Sequence, residues 1–270
     1  MAFVATAAEG LKRDVQVMSL IGTAHFSSHF YQLMLPPLFP LLAEQFGVGY
    51  AALGLLPATF FTGSGICQTI AGFMVDRFGA RNVLVAGLAA LAAATAATSL
   101  VTEFWMLIAV SALAGIGNSV FHPADFAILN ASVATKRLGR AFSVHGVGGN
   151  LGWAVAPVTV VALTAVLGWQ TALLILGSLG LVMAAFLASQ SAVLVDHRQA
   201  VPARARRAGE SRFGADIRLL TAAPVLLCFA FFTIYTMAFI GLQTFSVTAL
   251  MRLADLPLAV ATGALTGYGI

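Results

Sequence analysis

Residues 72–82 read Gly72-Phe73-Met74-Val75-Asp76-Arg77-Phe78-Gly79-Ala80-Arg81-Asn82, a charged turn set between two long apolar runs. A helix needs about 20 largely apolar residues to cross a bilayer, and the flanking runs, 51–75 and 83–101, both qualify. Gly79 permits a tight turn, Asp76 is placed to cap the next helix, and Arg77 and Arg81 put positive charge at one membrane face. Working outward by the same rule gives seven spans, at 17–43, 51–75, 83–101, 104–130, 141–167, 170–190 and 219–250. An eighth apolar run, 257–270, is too short to cross untilted.

Composition and charge agree with that reading. Of the 270 residues, 60% are hydrophobic and only 9% charged, against about 45–50% and about 25% in soluble domains. Mean hydropathy is +0.94. A chain folded in water would lack the charge to cover its surface, which excludes a soluble enzyme, a nucleic-acid-binding domain and a disordered chain. The net charge of +4 reflects loops rather than a nucleic-acid surface. Thirteen of the 14 basic residues fall on one side of the span pattern, and only Arg252 falls on the other. The positive-inside rule therefore places the N-terminus and the Arg-rich segment 191–218 in the cytoplasm. No short apolar segment ends in a cleavage-type sequence, so the first span is read as retained. Cys67 and Cys228 lie inside apolar runs and are expected to be small buried hydrophobes.

The spacing Gly72, Asp76-Arg77, Gly79, Arg81 resembles the signature loop between the second and third helices of the major facilitator superfamily. That resemblance implies a secondary transporter built from two six-helix halves, with substrate between them near the midplane and rocking that alternates access. It implies that Asp76, Arg77 and Arg81 lock the halves on the cytoplasmic side, with Gly72 a close-packing glycine and Gly79 a turn glycine. Gly115-Ile-Gly117-Asn118-Ser-Val-Phe121-His122-Pro123, the run from His145 to Gly152, Gly22-Thr-Ala-His25-Phe26 and Leu35-Pro36-Pro37-Leu38 resemble the fosmidomycin-resistance-type branch of drug exporters. Two departures stand out. Ser111 occupies the place where many proton-coupled exporters carry Arg, and Ala156-Pro157 replaces a full Gly-Pro motif.

Polar groups inside a membrane are costly, and each is a functional candidate. His25, His29 and Gln32 follow an i, i+4, i+7 spacing on the first span, and Asn118, His122 and Asp125 repeat it on the fourth. These spans occupy corresponding places in the inverted repeats that the resemblance implies. The helical rise of about 1.5 Å per residue puts His25 and Asn118 nearly level and Asp125 near the cytoplasmic boundary. The residues suit a proton relay that also orients substrate; the alternative is hydrogen-bonded helix packing, with Asp125 capping toward Lys136 and Arg137. Asn150 and Gln243 are cavity-lining candidates, and Phe26, Phe121 and Tyr235 are candidates for an apolar pocket wall. His145 is expected at a membrane interface and His197 in the linker. Glycines such as Gly63, Gly65, Gly87, Gly115, Gly117, Gly148, Gly149 and Gly152 suit close helix approach.

The expected protein is an all-α membrane protein with a major-facilitator-type six-helix bundle and the start of a second. The expected domains are a cytoplasmic tail 1–16, a six-helix domain 17–190, a linker 191–218 and a truncated second domain 219–270. The resemblance implies a plasma (inner) membrane transporter exporting a small organic compound or drug, coupled to protons. Its partners are a small-molecule substrate, protons, membrane lipid and a further C-terminal half, and not nucleic acid. Neither enzymatic activity nor a cofactor or resident metal is expected. A non-transporting relic or interaction protein is the alternative, and an intramembrane His/Asp metal site the remote one. A retinal protein is excluded, because Lys12 and Lys136 both fall outside the spans.

Overall fold

The computed structural model describes residues 7–190, 193–194 and 221–269, and among them the structure is helical, without strands. The helices are α1 (Ala7–Gln32), α2 (Phe39–Phe46), α3 (Tyr50–Leu53), α4 (Leu55–Phe78), α5 (Ala80–Ala97), α6 (Phe104–Asn118), α7 (Phe121–Ser132), α8 (Leu138–Leu167), α9 (Trp169–Ser189), α10 (Ala223–Leu253) and α11 (Leu258–Gly269). Short 3-10 turns occupy Pro36–Leu38, Thr98–Leu100 and Thr135–Arg137. His197 and nearly all of the linker 191–218, with its arginines, lie outside the described residues.

Proline decides where the long apolar runs break. Pro36 and Pro37 have no N–H to give the carbonyls of Gln32 and Leu33, so the first run ends as a helix at Gln32. Pro123 likewise leaves the Ser119 carbonyl without its helical donor, and the fourth run divides into α6 and α7 there. Two of the expected uninterrupted spans are therefore broken helices. Pro157 is tolerated, and α8 runs through it to Leu167. Gly79 separates α4 from α5 with φ +92°, a conformation that a side chain strongly disfavours.

Six helical segments among the described residues are long and apolar enough to cross a membrane: Tyr50–Phe78, Ala80–Leu100, Phe104–Ser132, Thr135–Leu167, Trp169–Ser189 and Ala223–Leu253. The chain is an integral membrane protein by this measure. The first expected span is not among the six. Its helix carries Lys12, Arg13 and Asp14 near one end and a polar stripe along one face, and it stops at Gln32. It also begins at Ala7, inside the stretch expected as a tail.

Helix pairing is symmetric. The most extensive contacts are α1 with α8, α5 with α9, and α4 with α6. If the fourth to sixth spans repeat the first to third inverted, the pair of spans one and five maps onto the pair two and four, and the pair three and six maps onto itself. The observed partners follow that rule. Two apolar clusters fill the bundle, one around Ile21, Leu84, Leu88, Phe121 and Ile128, the other around Phe39, Leu42, Leu56, Trp169 and Leu173. His25, Ser28 and Asn118 lie along the chain between residues of the two clusters. Close backbone approach makes these pairings feasible, since a Cβ at Gly148 would stand 2.7 Å from the Gly22 carbonyl oxygen and one at Gly177 would stand 2.7 Å from the Ala92 carbonyl oxygen. Gly65 and Gly72 differ from expectation, because nothing lies within 4 Å of a Cβ built at either.

α10 touches the first six spans mainly through its C-terminal half. The Phe245 ring lies 6.0 Å from that of Phe39, and the Arg252 guanidinium sits 5.4 Å from the Tyr50 ring centre. From Ala223 to Ala238 the helix is exposed. α11 packs on α8 and on α10. Cys228 is exposed and Cys67 half-buried, so neither is the buried hydrophobe expected; their apolar surroundings are helix faces turned outward.

Candidate functional site

Asn118 closes α6, just before the break that Pro123 imposes. Its Oδ1 accepts from the Ser28 hydroxyl at 2.7 Å and from Gln32 Nε2 at 3.3 Å, and its Nδ2 donates to the Ser64 hydroxyl at 3.1 Å. One side chain thus joins α1, α4 and α6. Gln32 extends the network to α8, where Trp153 Nε1 donates to its Oε1 at 3.0 Å. Asn118 therefore stands level with Ser28 and Gln32, not with His25. The fourth run is a broken helix and α1 begins at Ala7, so a uniform rise along the two does not set their relative height.

Four of the chain's five histidines meet around Asp125. Asp125 is fully buried, and its Oδ2 lies 3.1 Å from His145 Nε2 and 3.3 Å from His25 Nδ1. The His25 and His145 rings stack at 3.5 Å. His29 and His122 lie 4.3 and 5.0 Å from the His25 ring. Three elements supply the cluster: α1 with the stripe, α7 with His122 and Asp125, and α8 with His145. Gly149 makes room for it, since a Cβ there would meet the His29 ring at 2.8 Å and the His25 ring at 3.0 Å.

The expectations for individual residues divide. His25, His29, His122 and Asp125 come together. Asp125 does not cap toward Lys136 and Arg137; it faces two imidazoles at the level of His25. Arg137 instead pairs with Asp14 at 2.6 Å, and the Ala134 backbone N–H donates to the same Asp14 oxygen at 3.1 Å. His145 is buried in the cluster rather than at an interface, because α8 begins at Leu138 and carries it two turns inward. Phe121 is packed in the core, and Phe26 is half-buried against the second apolar cluster.

A cleft of about 440 Å³ lies beside the cluster, lined by Phe61, Asn150, Trp153, Tyr235, Phe239 and Gln243 among others. Its walls come from α4 and α8 on one side and from α10 and α11 on the other. Both expected cavity-lining residues, Asn150 and Gln243, and the expected Tyr235 are in it. Trp153 joins cleft and cluster: its ring stacks on His29 at 4.1 Å and lies 5.4 Å from the Phe239 ring. Sequence reading did not single out Trp153, Ser28, Ser64 or Asp14. Ser28 carried a signal, as it sits three residues from His25 on the same helix face. Asp14 carried another, as a lone acid beside Lys12 and Arg13.

At the far end of α4, Asp76 and Arg77 are exposed and Gly79 is buried in the turn. The Arg81 guanidinium donates to Asn82 Oδ1 at 3.3 Å, and Asn82 Nδ2 donates to the Phe78 carbonyl at 3.2 Å. The loop is a charged corner held to the helix end.

Chemically, the cluster is a buried carboxylate and four imidazoles able to exchange protons or to bind a cation. His25, Asp125 and His145, and separately His25, His29 and His122, offer ligand atoms within 4.8 Å of one another.

Comparison with known proteins adds the lineage. The family model described as Major Facilitator Superfamily matches residues 21–270. The chain is 27% identical over 152 residues to the Uncharacterized MFS-type transporter YfnC of Bacillus subtilis, covering 56% of this chain and 37% of that one. It is 26% identical over 152 residues to the Fosmidomycin resistance protein of Escherichia coli K12, with the same two coverages of 56% and 37%. It is 23% identical over 171 residues to the Probable sulfoacetate transporter SauU of Cupriavidus necator, covering 63% of this chain and 40% of that one. The matched part thus spans well under half the length of these relatives. Among solved structures, a bacterial homolog of the human lysosomal transporter Spinster, inward-facing and unoccupied, superposes with a TM-score of 0.75 at 16% identity, over 95% of this chain and 60% of that one.

Proposed function

The chain belongs to the major facilitator superfamily, and from that premise we propose that it carries the substrate path of a proton-coupled exporter of small organic compounds. The observation that carries this reading is the continuity from cleft to cluster. Solute in the cleft contacts Trp153, Trp153 stacks on His29, and His29 adjoins the His25–Asp125–His145 group. A proton held among these imidazoles alters the position of His29, and the tryptophan passes that change to the cleft wall. In this reading the N-terminus and residues 191–218 are cytoplasmic, the membrane is the plasma membrane, and residues 72–82 form the cytoplasmic corner that locks the halves. The chain performs no catalysis on its solute. In the same reading residues 219–270 belong to a second half.

The E. coli relative's printed name supplies a first substrate, fosmidomycin. Cells lacking their own exporters and expressing this protein should survive fosmidomycin better and should lose that protection with His29→Ala or His122→Ala. Full protection in both variants at equal membrane abundance would refute the relay.

A further inference from the structure

We propose that the cluster binds one divalent late transition cation, Zn²⁺ or a chemically similar ion, through His25, Asp125 and His145. This goes beyond proton-coupled transport and rests on side-chain geometry alone.

Atoms that ligate one tetrahedral ion at about 2.0–2.1 Å must stand roughly 3.4 Å apart. Asp125 Oδ2 is 3.1 Å from His145 Nε2 and 3.3 Å from His25 Nδ1, and all three ligand atoms fall within 4.8 Å of one another. Two of the three edges already have the tetrahedral length. The donor set, two imidazoles and a carboxylate with room for a fourth ligand, is one that zinc accepts.

Unpartnered buried atoms supply a second, independent observation. His29 Nδ1 and Asp125 Oδ1 have no hydrogen-bond partner, and their side chains are at least nine-tenths buried. An imidazole nitrogen that carries no hydrogen and a carboxylate oxygen each present a lone pair, and such lone pairs gathered away from water suit a positive centre between them. His122 is exposed, 5.0 Å from the His25 ring, and gives the ion a route of entry. His25, His29 and His122 also offer ligand atoms within 4.8 Å of each other, so the entry path is itself lined with ligands. The bound ion would join α1, α7 and α8.

The test uses the chain purified in detergent, with any affinity tag removed and metal stripped by EDTA. Titration with Co²⁺ should reveal one saturable site per chain, with the visible absorption band of a tetrahedral ion, and equimolar Zn²⁺ should displace it. Asp125→Asn and His145→Gln should each weaken binding at least tenfold, while His197→Ala should leave it unchanged. Because a buried substitution can also disturb folding, the unaltered chain provides a separate measurement. Zn²⁺ should raise the thermal-unfolding midpoint of the unaltered, metal-stripped chain, because the ion would bind the folded cluster and not the unfolded chain. Absence of a saturable site, or an unchanged midpoint, would overturn the proposal. Resistance assays in excess EDTA test the transport reading separately, so failure of one is distinguishable from failure of the other.

Discussion

Gly149→Ala probes the closest packing in the cluster, and Gly146→Ala, one turn earlier on α8, is its internal control. Both are glycines inside the same helix, so both substitutions gain the same intrinsic propensity, about 1 kcal/mol. Only one of them meets an obstacle. At Gly146 nothing lies within 4 Å of a new Cβ, whereas at Gly149 the methyl would stand 2.8 Å from two atoms of the His29 ring and 3.0 Å from the His25 ring. Comfortable carbon contacts need about 3.5–4.0 Å, so both imidazoles, or the whole of α1, must move by more than half an ångström. His29 has little room, because Trp153 stacks on its ring at 4.1 Å. Overpacking of this kind costs about 1–3 kcal/mol. With propensity common to both, Gly149→Ala should be less stable than Gly146→Ala by about that amount. For a chain of this size the difference corresponds to roughly 2–10 °C in unfolding midpoint. Thermal unfolding in detergent, followed by circular dichroism, measures it. Equal midpoints for the two variants would show that the rings move freely and that the cluster is not held as described.

Two further substitutions test the supports of the site. Asn118→Leu removes bonds to Ser28, Gln32 and Ser64; at about 0.6 kcal/mol per intramembrane side-chain bond, the loss should be about 2 kcal/mol by thermal unfolding, and an unchanged midpoint would count against Asn118 as the joint of α1, α4 and α6. Asp14→Asn leaves the Arg137 guanidinium without its partner in a largely buried setting; breaking such a pair should cost about 3 kcal/mol, and restoration of the midpoint by the double variant Asp14→Asn with Arg137→Gln would assign the loss to the unpaired charge.

Much of the architecture was legible in the chain before any coordinates. Twenty-residue apolar runs, and basic residues gathered on one side of them, need no tertiary information, because the bilayer imposes them on each segment separately. The Gly72–Asp76–Arg77–Gly79–Arg81 spacing was equally local. The first polar stripe and two of the three residues of the second were legible too: His25, His29 and Gln32 share a helix face by periodicity alone, as do His122 and Asp125. Hydropathy did not register the breaks at Pro36 and Pro123, since an average over a window ignores a missing N–H.

What the tertiary structure alone decided is which stripe meets which, and at what height. Asp125 had two sets of candidates, the cytoplasmic cations Lys136 and Arg137 or a partner inside the bundle. Asp14, 123 residues before Arg137 in the chain, took that cation, and Asp125 was left to His25 and to His145, a residue that by position alone belonged at an interface. Trp153 became the joint between cluster and cleft only because α8 packs along α1 and brings its indole over His29. Each helix's composition and approximate ends are properties of its own segment and can be read in order. Contacts between helices depend on the register in which broken helices slide together, and that register is set by close-packed glycines and side-chain volumes from four elements at once.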